Sequence, residues 1–197
     1  MTQPSELVYQ LLAEKGVLVK QDKNFPSVVG FVTGESLCTS WWSHPKAQLI
    51  FDVLATLSEH PDVLFTKHLF TKDTLLHRRL WPSFLAVAEA REPWQLRLLS
   101  APAKRLLSQV DRASRPIHAS RAAVKDLQTR LLAYAAEVHT DSGRHEMALE
   151  PWHRWSRRVG CISAGSVPRA RHLLEGVVFG LGASSRALPW PADRTAT

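Results

Sequence analysis

The sequence predicts a mainly helical α+β chain, on three observations. Apolar residues recur at helical spacing through several segments that begin or end on capping residues. Short β-branched clusters lie between the first of these segments. The stretch "VLFTKHLFTKDTLLHRRLW" reads as two strands around "FTKD". The expected arrangement is an N-terminal part over residues 1–92, built from helix, strands, helix, β-hairpin and helix. A basic helical part over 93–185 packs on it, and residues 186–197 form a loose tail.

The elements follow in order. "PSELVYQLLAEKG" is a helix: Ser5 caps it, Leu7, Val8, Leu11 and Leu12 form its apolar face, and Gly16 ends it. Val17–Val19 and Val28–Val32 read as short strands around a polar loop holding Pro26. In "TSWWSHPKAQLIFDVLATLSEHPDV", Ser43 is an N-cap and Pro45 suits the first helical turn. Ala47, Ile50, Val53 or Leu54, and Leu57 recur at helical spacing, and the helix stops near His60-Pro61, because a residue before proline avoids helical geometry. Lys72-Asp73 forms the hairpin tip. "WPSFLAVAEA" starts the next helix, and the chain continues as helical pieces broken at Pro93, Pro102 and Pro116. "SRAAVKDLQTRLLAYAAEVHT" has the clearest helical stripe, with Val124, Leu127, Leu131, Tyr134 or Ala135, and Val138. "PRARHLLEGVVFGLG" is the last helix. No internal repeat is visible.

Composition bounds the function classes. The hydrophobic content of 45% and charged content of 22% are those of a globular chain. The formal net charge is +7 and the pI about 9.8, which favours polyanionic partners. Cys38 and Cys161 belong to no CxxC pattern, so two ordinary thiols in a reducing compartment are expected. No secretory signal and no membrane span is visible, which makes the cytoplasm the expected location. P-loop, dinucleotide-binding and nucleophile-elbow glycine patterns are absent. No cofactor is expected.

A helix leading directly into a β-hairpin is the core of a winged helix, with the hairpin tip as the wing, and residues 5–92 look like such a module. More narrowly, residues 43–82, "SHPKAQLIFDVL…VLFTKHLFTKDTLLHRRLWP", resemble the DNA-associated winged helix of bacterial crosslink-repair DNA glycosylases. The glycosylase catalytic residues have no match here, so that resemblance implies DNA binding and no reaction. The motifs "SWWSHPKA", "HRRLWP" and "HTDSGRH" together resemble a bacterial protein family of uncharacterised function. This second resemblance spans most of the chain, implies a common fold and marks the three motifs.

Candidate nucleic-acid contacts lie in three places. Lys67, His68, Lys72, His77, Arg78 and Arg79 put six potentially cationic groups on the hairpin, where they either neutralise phosphates or solvate an exposed edge. Lys46 and His44 stand at a helix start, behind Trp41 and Trp42, which stack on bases or pack in the core. The segment from Lys104 to Arg171 carries thirteen Lys or Arg against six Asp or Glu, and its densest run, "HRWSRRVG", sets Arg154, Arg157 and Arg158 beside Trp152 and Trp155. That run suits either a nucleic-acid groove or an amphipathic helix with its tryptophans inward.

"HTDSGRH" has the richest chemistry. Gly143 breaks the long helix, and Asp141 or Ser142 bonds local backbone, so a structural turn is the leading expectation. His139 and His145 are the acid–base candidates if the chain is an enzyme acting on nucleic acid, and Arg144 is a phosphate contact. The spacing matches no metal motif, so no metal is expected. The expected function is nucleic-acid binding, DNA before RNA, in repair or regulation. An enzyme on nucleic acid and a protein-interaction module are the alternatives.

Overall fold

The computed structural model describes residues 3–119, 121–139 and 145–191. Helix α1 (Pro4–Lys15) starts with Pro4 in its first turn and Gln3 in the cap position, so Ser5 lies inside it. It buries Val8 and Leu12 and ends where expected, at Gly16 with φ +82°. A Cβ at Gly16 would lie 2.7 Å from Arg79 Nη2, the tip of a flexible side chain that can shift, so it is the left-handed backbone that requires glycine there.

Strand β1 (Val17–Val19) follows. The second β-branched cluster is not a strand: Val28–Thr33 is helix α2. Ser27 Oγ accepts the Gly30 amide at 3.1 Å, and Gly34 at φ +82° ends the helix. A serine cap and a glycine stop thus outweigh β-propensity over six residues, and burial of Val28 and Val29 supports the outcome. After a single turn at Trp41–Ser43, helix α3 (Ala47–Glu59) runs to His60, before Pro61 as expected, although its cap is Lys46 rather than Ser43.

Strands β2 (Val63–Thr66) and β3 (Thr74–His77) form the expected antiparallel pair, with Thr66 opposite Thr74. β3 also pairs with β1, so the first sheet has the order β1-β3-β2. Its connection is anchored to the fold at its base, while Phe70, Thr71 and Lys72 at its tip are exposed. His68 and Leu69 are buried, and the Phe70 amide donates to Ala187 O at 2.7 Å.

Helices α4 (Trp81–Ala88), α5 (Pro93–Leu96) and α6 (Ala101–Arg112) follow. Pro82, Pro93 and Pro102 each sit in a first turn, where a missing N–H costs nothing. Beyond them the expected helical part contains a second sheet. β4 (Ile117–Ala119), β5 (Tyr134–His139) and β6 (His145–Glu150) pair antiparallel in the order β4-β6-β5. The predicted helix over 120–140 is therefore overturned: helix α7 (Arg121–Thr129) stops halfway, and β5 replaces its second half. Long-range side chains take the carbonyls that a continuing helix would use. Gln95 Nε2 donates to Arg130 O at 3.2 Å, and Trp152 Nε1 donates to Leu131 O at 2.9 Å. Leu131 turns the chain at φ +54°.

Helices α8 (Trp152–Arg158) and α9 (Val167–Gly180) complete the described chain. The largest core joins β1 and β3 to α4, the inward tryptophans 152 and 155, α9, and Leu188 with Trp190. Both halves of the molecule therefore share one interior. Residues 186–191 are not a loose tail, because Trp190 is buried and its Nε1 donates to Glu175 at 2.8 Å. A second core lies between α6, α7 and the second sheet. Among the described residues, no helix is long and apolar enough to cross a membrane.

Candidate nucleic-acid interface

The expected hairpin cations are mostly engaged within the fold. Lys67 Nζ lies 2.5 Å from Asp73, which Lys20 also approaches at 3.5 Å. Burial pushes the Asp73 carboxyl up, but the Lys67 hydrogen bond and the two lysine charges overcome this and hold it below the usual carboxylate range. Lys72 pairs with Asp22 at 2.6 Å. Arg78 reaches Asp62 at 3.3 Å and Val159 O at 3.3 Å, with its guanidinium over the Trp81 ring. Arg79 donates to Glu14 O at 2.8 Å and so satisfies a carbonyl in the last turn of α1.

The hairpin histidines are also placed by the fold. His77 lies 3.4 Å from the Tyr9 hydroxyl, which donates to Asp62. Burial, followed by the Arg79 charge, lowers its pKa. His68 is fully enclosed, with Phe84 and Trp190 each 5.5 Å away between ring centroids, and neither ring nitrogen has a hydrogen-bond partner among the described residues. Burial pushes its pKa down to about 3, so it is neutral and cannot meet a phosphate.

The other expected contacts behave similarly. Lys46 Nζ donates to Val32 O at 2.9 Å and Thr33 O at 3.2 Å, at the end of α2. His44 pairs with Glu35 at 2.9 Å. Arg154 donates to Ala113 O, and Arg158 pairs with Glu150. Arg157 alone of this run is exposed and in no ion pair among the described residues. The two tryptophans before α3 divide the expected roles. Trp41 is buried and Trp42 is 63% exposed, with the rings stacked at 4.0 Å.

Sequence reasoning passed over the exposed cations of α6, of the link that follows it, and of α7. Lys104, Arg105 and Arg112 lie on the outward side of α6, Arg115 follows it, and Lys125 stands on α7. All five are exposed and enter no ion pair among the described residues. Residues 97–130 hold eight Lys or Arg against Asp111 and Asp126, a net +6 in a chain of +7. Both aspartates are already paired, Asp111 with Arg91 at 2.7 Å and Asp126 with Arg130 at 3.0 Å. The signal was present in the charge count of the C-terminal half, but the arginine run of α8 drew attention away from it.

No family model, curated protein or solved structure matches this chain. The functional reading therefore rests on the chain's own chemistry.

"HTDSGRH" does not close a helix, because both of its flanks are strands. His139 and His145 are the last ladder pair of β5 and β6, directly opposite each other. Residues 140–144, including Asp141, Ser142, Gly143 and Arg144, lie outside the described residues. One rung along, Glu146 meets His118 of β4 at 2.8 Å, an exposed cross-strand pair that the sequence did not suggest. Among the described residues, no group of three or more His, Cys, Asp or Glu is placed to hold a metal.

Proposed function

We propose that this chain binds nucleic acid, DNA before RNA, by holding the sugar–phosphate backbone on the outward face of α6, β4 and α7. The observation that carries the reading is the set of exposed cations there that enter no ion pair among the described residues: Lys104, Arg105, Arg112, Arg115 and Lys125. Cations free of internal partners can neutralise phosphates and release counterions without first breaking an ion pair. The hairpin lysines would have to give up Asp73 and Asp22 to do the same. Helix α3 is a poor reader of DNA, because it carries Asp52 and Glu59 and no Lys or Arg.

The N-terminal half still supports a winged-helix kinship. Its order is helix, strand, helix, helix, strand, strand, with the third strand between the other two. On this reading the module is a structural platform, and the backbone contact has moved to the C-terminal half. A role in repair or regulation follows from the glycosylase resemblance of residues 43–82.

Fluorescence anisotropy with a labelled duplex and the matching single strand tests this. The triple variant Arg105→Ala/Arg115→Ala/Lys125→Ala loses affinity for all sequences alike, while Lys67→Ala/Lys72→Ala keeps most of it. Wild-type protein that binds neither probe at low salt sinks the proposal.

An enzymatic reading keeps one observation in its favour, the ladder pairing of His139 with His145. If these histidines act as acid and base, His139→Asn and His145→Asn each depress turnover on a cleavable DNA or RNA substrate by about 10²-fold or more. An activity screen over duplex, single-stranded, abasic and alkylated DNA, with RNA alongside, finds or excludes that substrate.

A further inference from the structure

The outward face of α3 differs from the rest of this basic molecule. Trp42 is 63% exposed and Phe51 49%, with ring centroids 6.2 Å apart. Trp42 is held in place by its stack on buried Trp41, so little conformational freedom remains to be lost on docking. Asp52 and Glu59, seven residues apart, share one side of α3, about a quarter turn round from Phe51, with Glu59 about 12 Å further along the helix. α3 has no cation to balance them, and the nearest lysine in sequence, Lys46, is spent on α2 carbonyls. An exposed aromatic pair at a helix whose charged side chains are both carboxylates fits an apolar, cationic partner surface and repels phosphate.

One surface of that description exists on the same chain. A shallow groove of about 390 Å³ beside α6 is lined by Leu96, Leu99 and Leu107 together with Lys104, Ser108, Asp111 and Arg112; Arg91 already pairs with Asp111, which leaves Lys104 and Arg112 as the groove's unpaired charges among the described residues. Leu98, next to it in sequence, is 74% exposed. The groove is large enough for an aromatic side chain.

We infer that α3 of one copy docks into the α6 groove of a second copy, with Trp42 and Phe51 against the leucines and Asp52 and Glu59 against Lys104 and Arg112. Like-with-like pairings are disfavoured. Pairing α3 with α3 sets carboxylates against their own images, and pairing α6 with α6 does the same with cations. The contact joins two different surfaces, so it forms reciprocally in a two-fold dimer or head-to-tail in a ring or chain, according to the rotation between copies. This inference does not depend on the nucleic-acid reading. The two meet at Lys104 and Arg112, so a bound polyanion would compete with the second copy.

Sedimentation velocity on nucleic-acid-free protein tests it, from micromolar to near-millimolar concentration. Wild-type protein sediments faster as concentration rises, and added salt reduces the effect. Two charge-reversed variants, Asp52→Lys/Glu59→Lys and Lys104→Glu/Arg112→Glu, each lose the concentration dependence. All four changes are at exposed positions, and circular dichroism checks that both variants fold. Mixed one to one, the variants associate again, because each now carries the complement of the other on both faces. Wild-type protein that stays monomeric throughout overturns the inference and leaves the α3 face to a different basic partner. Association that survives either reversal, or reversals that fail to rescue each other, overturns it as well.

Discussion

At the residue scale, His68 is the most consequential single side chain. It is an imidazole enclosed by Phe84 and Trp190, with neither nitrogen hydrogen-bonded among the described residues and its pKa pushed down to about 3 by burial. In the unfolded chain a histidine titrates near 6.5. Between those values the unfolded state binds a proton that the folded state does not. Stability from this group is therefore complete above about pH 6.5 and falls as the pH drops towards 3. The full loss is on the order of 5 kcal/mol. Denaturant melts of wild type and His68→Leu from neutral to acid pH should diverge, with the wild type losing more. Parallel curves would mean that the imidazole is hydrated or paired. The tryptophan pair makes a second contrast. Trp41→Ala should cost roughly 3–5 kcal/mol, as removal of a buried indole does. Trp42→Ala should cost about 1 kcal/mol or less, since most of its ring already faces water. Equal losses in thermal melts would contradict the division of roles between them.

At the element scale, local signals were legible and non-local ones were not. Gly16 stops α1, and His60-Pro61 stops α3, because each acts on its own backbone. The β2–β3 pair and α9 were likewise readable from short patterns. The break between α7 and β5 was not, because it depends on Gln95, thirty-five residues upstream of Arg130, and on Trp152, twenty-one downstream of Leu131. Before the break the apolar spacing of 121–139 is helical, and nothing local contradicts it. Gln95 is thus the side chain on which the second sheet turns: its Nε2 serves Ala88 O and Arg130 O, and its Oε1 accepts the Glu92 amide at 2.7 Å. Gln95→Leu strands these buried groups and should cost about 3 kcal/mol or more. Hydrogen exchange should report reduced protection in β5 and β6. Unchanged stability and protection would mean that the strand forms without this clamp.

At the scale of the whole molecule, the sequence located the excess charge in the C-terminal half but not which cations are free. That depends on partners far along the chain: Lys72 meets Asp22, fifty residues away, and Arg78 meets Val159 O, eighty-one away. The candidate interface therefore shifts from the hairpin to α6 and α7, where the cations have no such partners among the described residues. The single interior that the first half shares with α8 and α9 joins both halves of the molecule, while α6 and α7 pack on the second sheet in a core of their own. The most direct test is the salt dependence of duplex DNA affinity. For B-DNA, each phosphate contact contributes about 0.9 to the slope of log K against log salt. Arg105→Ala/Arg115→Ala/Lys125→Ala should flatten the slope by up to about 2.7, while Lys67→Ala/Lys72→Ala leaves it near the wild-type value. The reverse pattern, a slope kept in the first variant and flattened in the second, would return the interface to the hairpin and contradict this account.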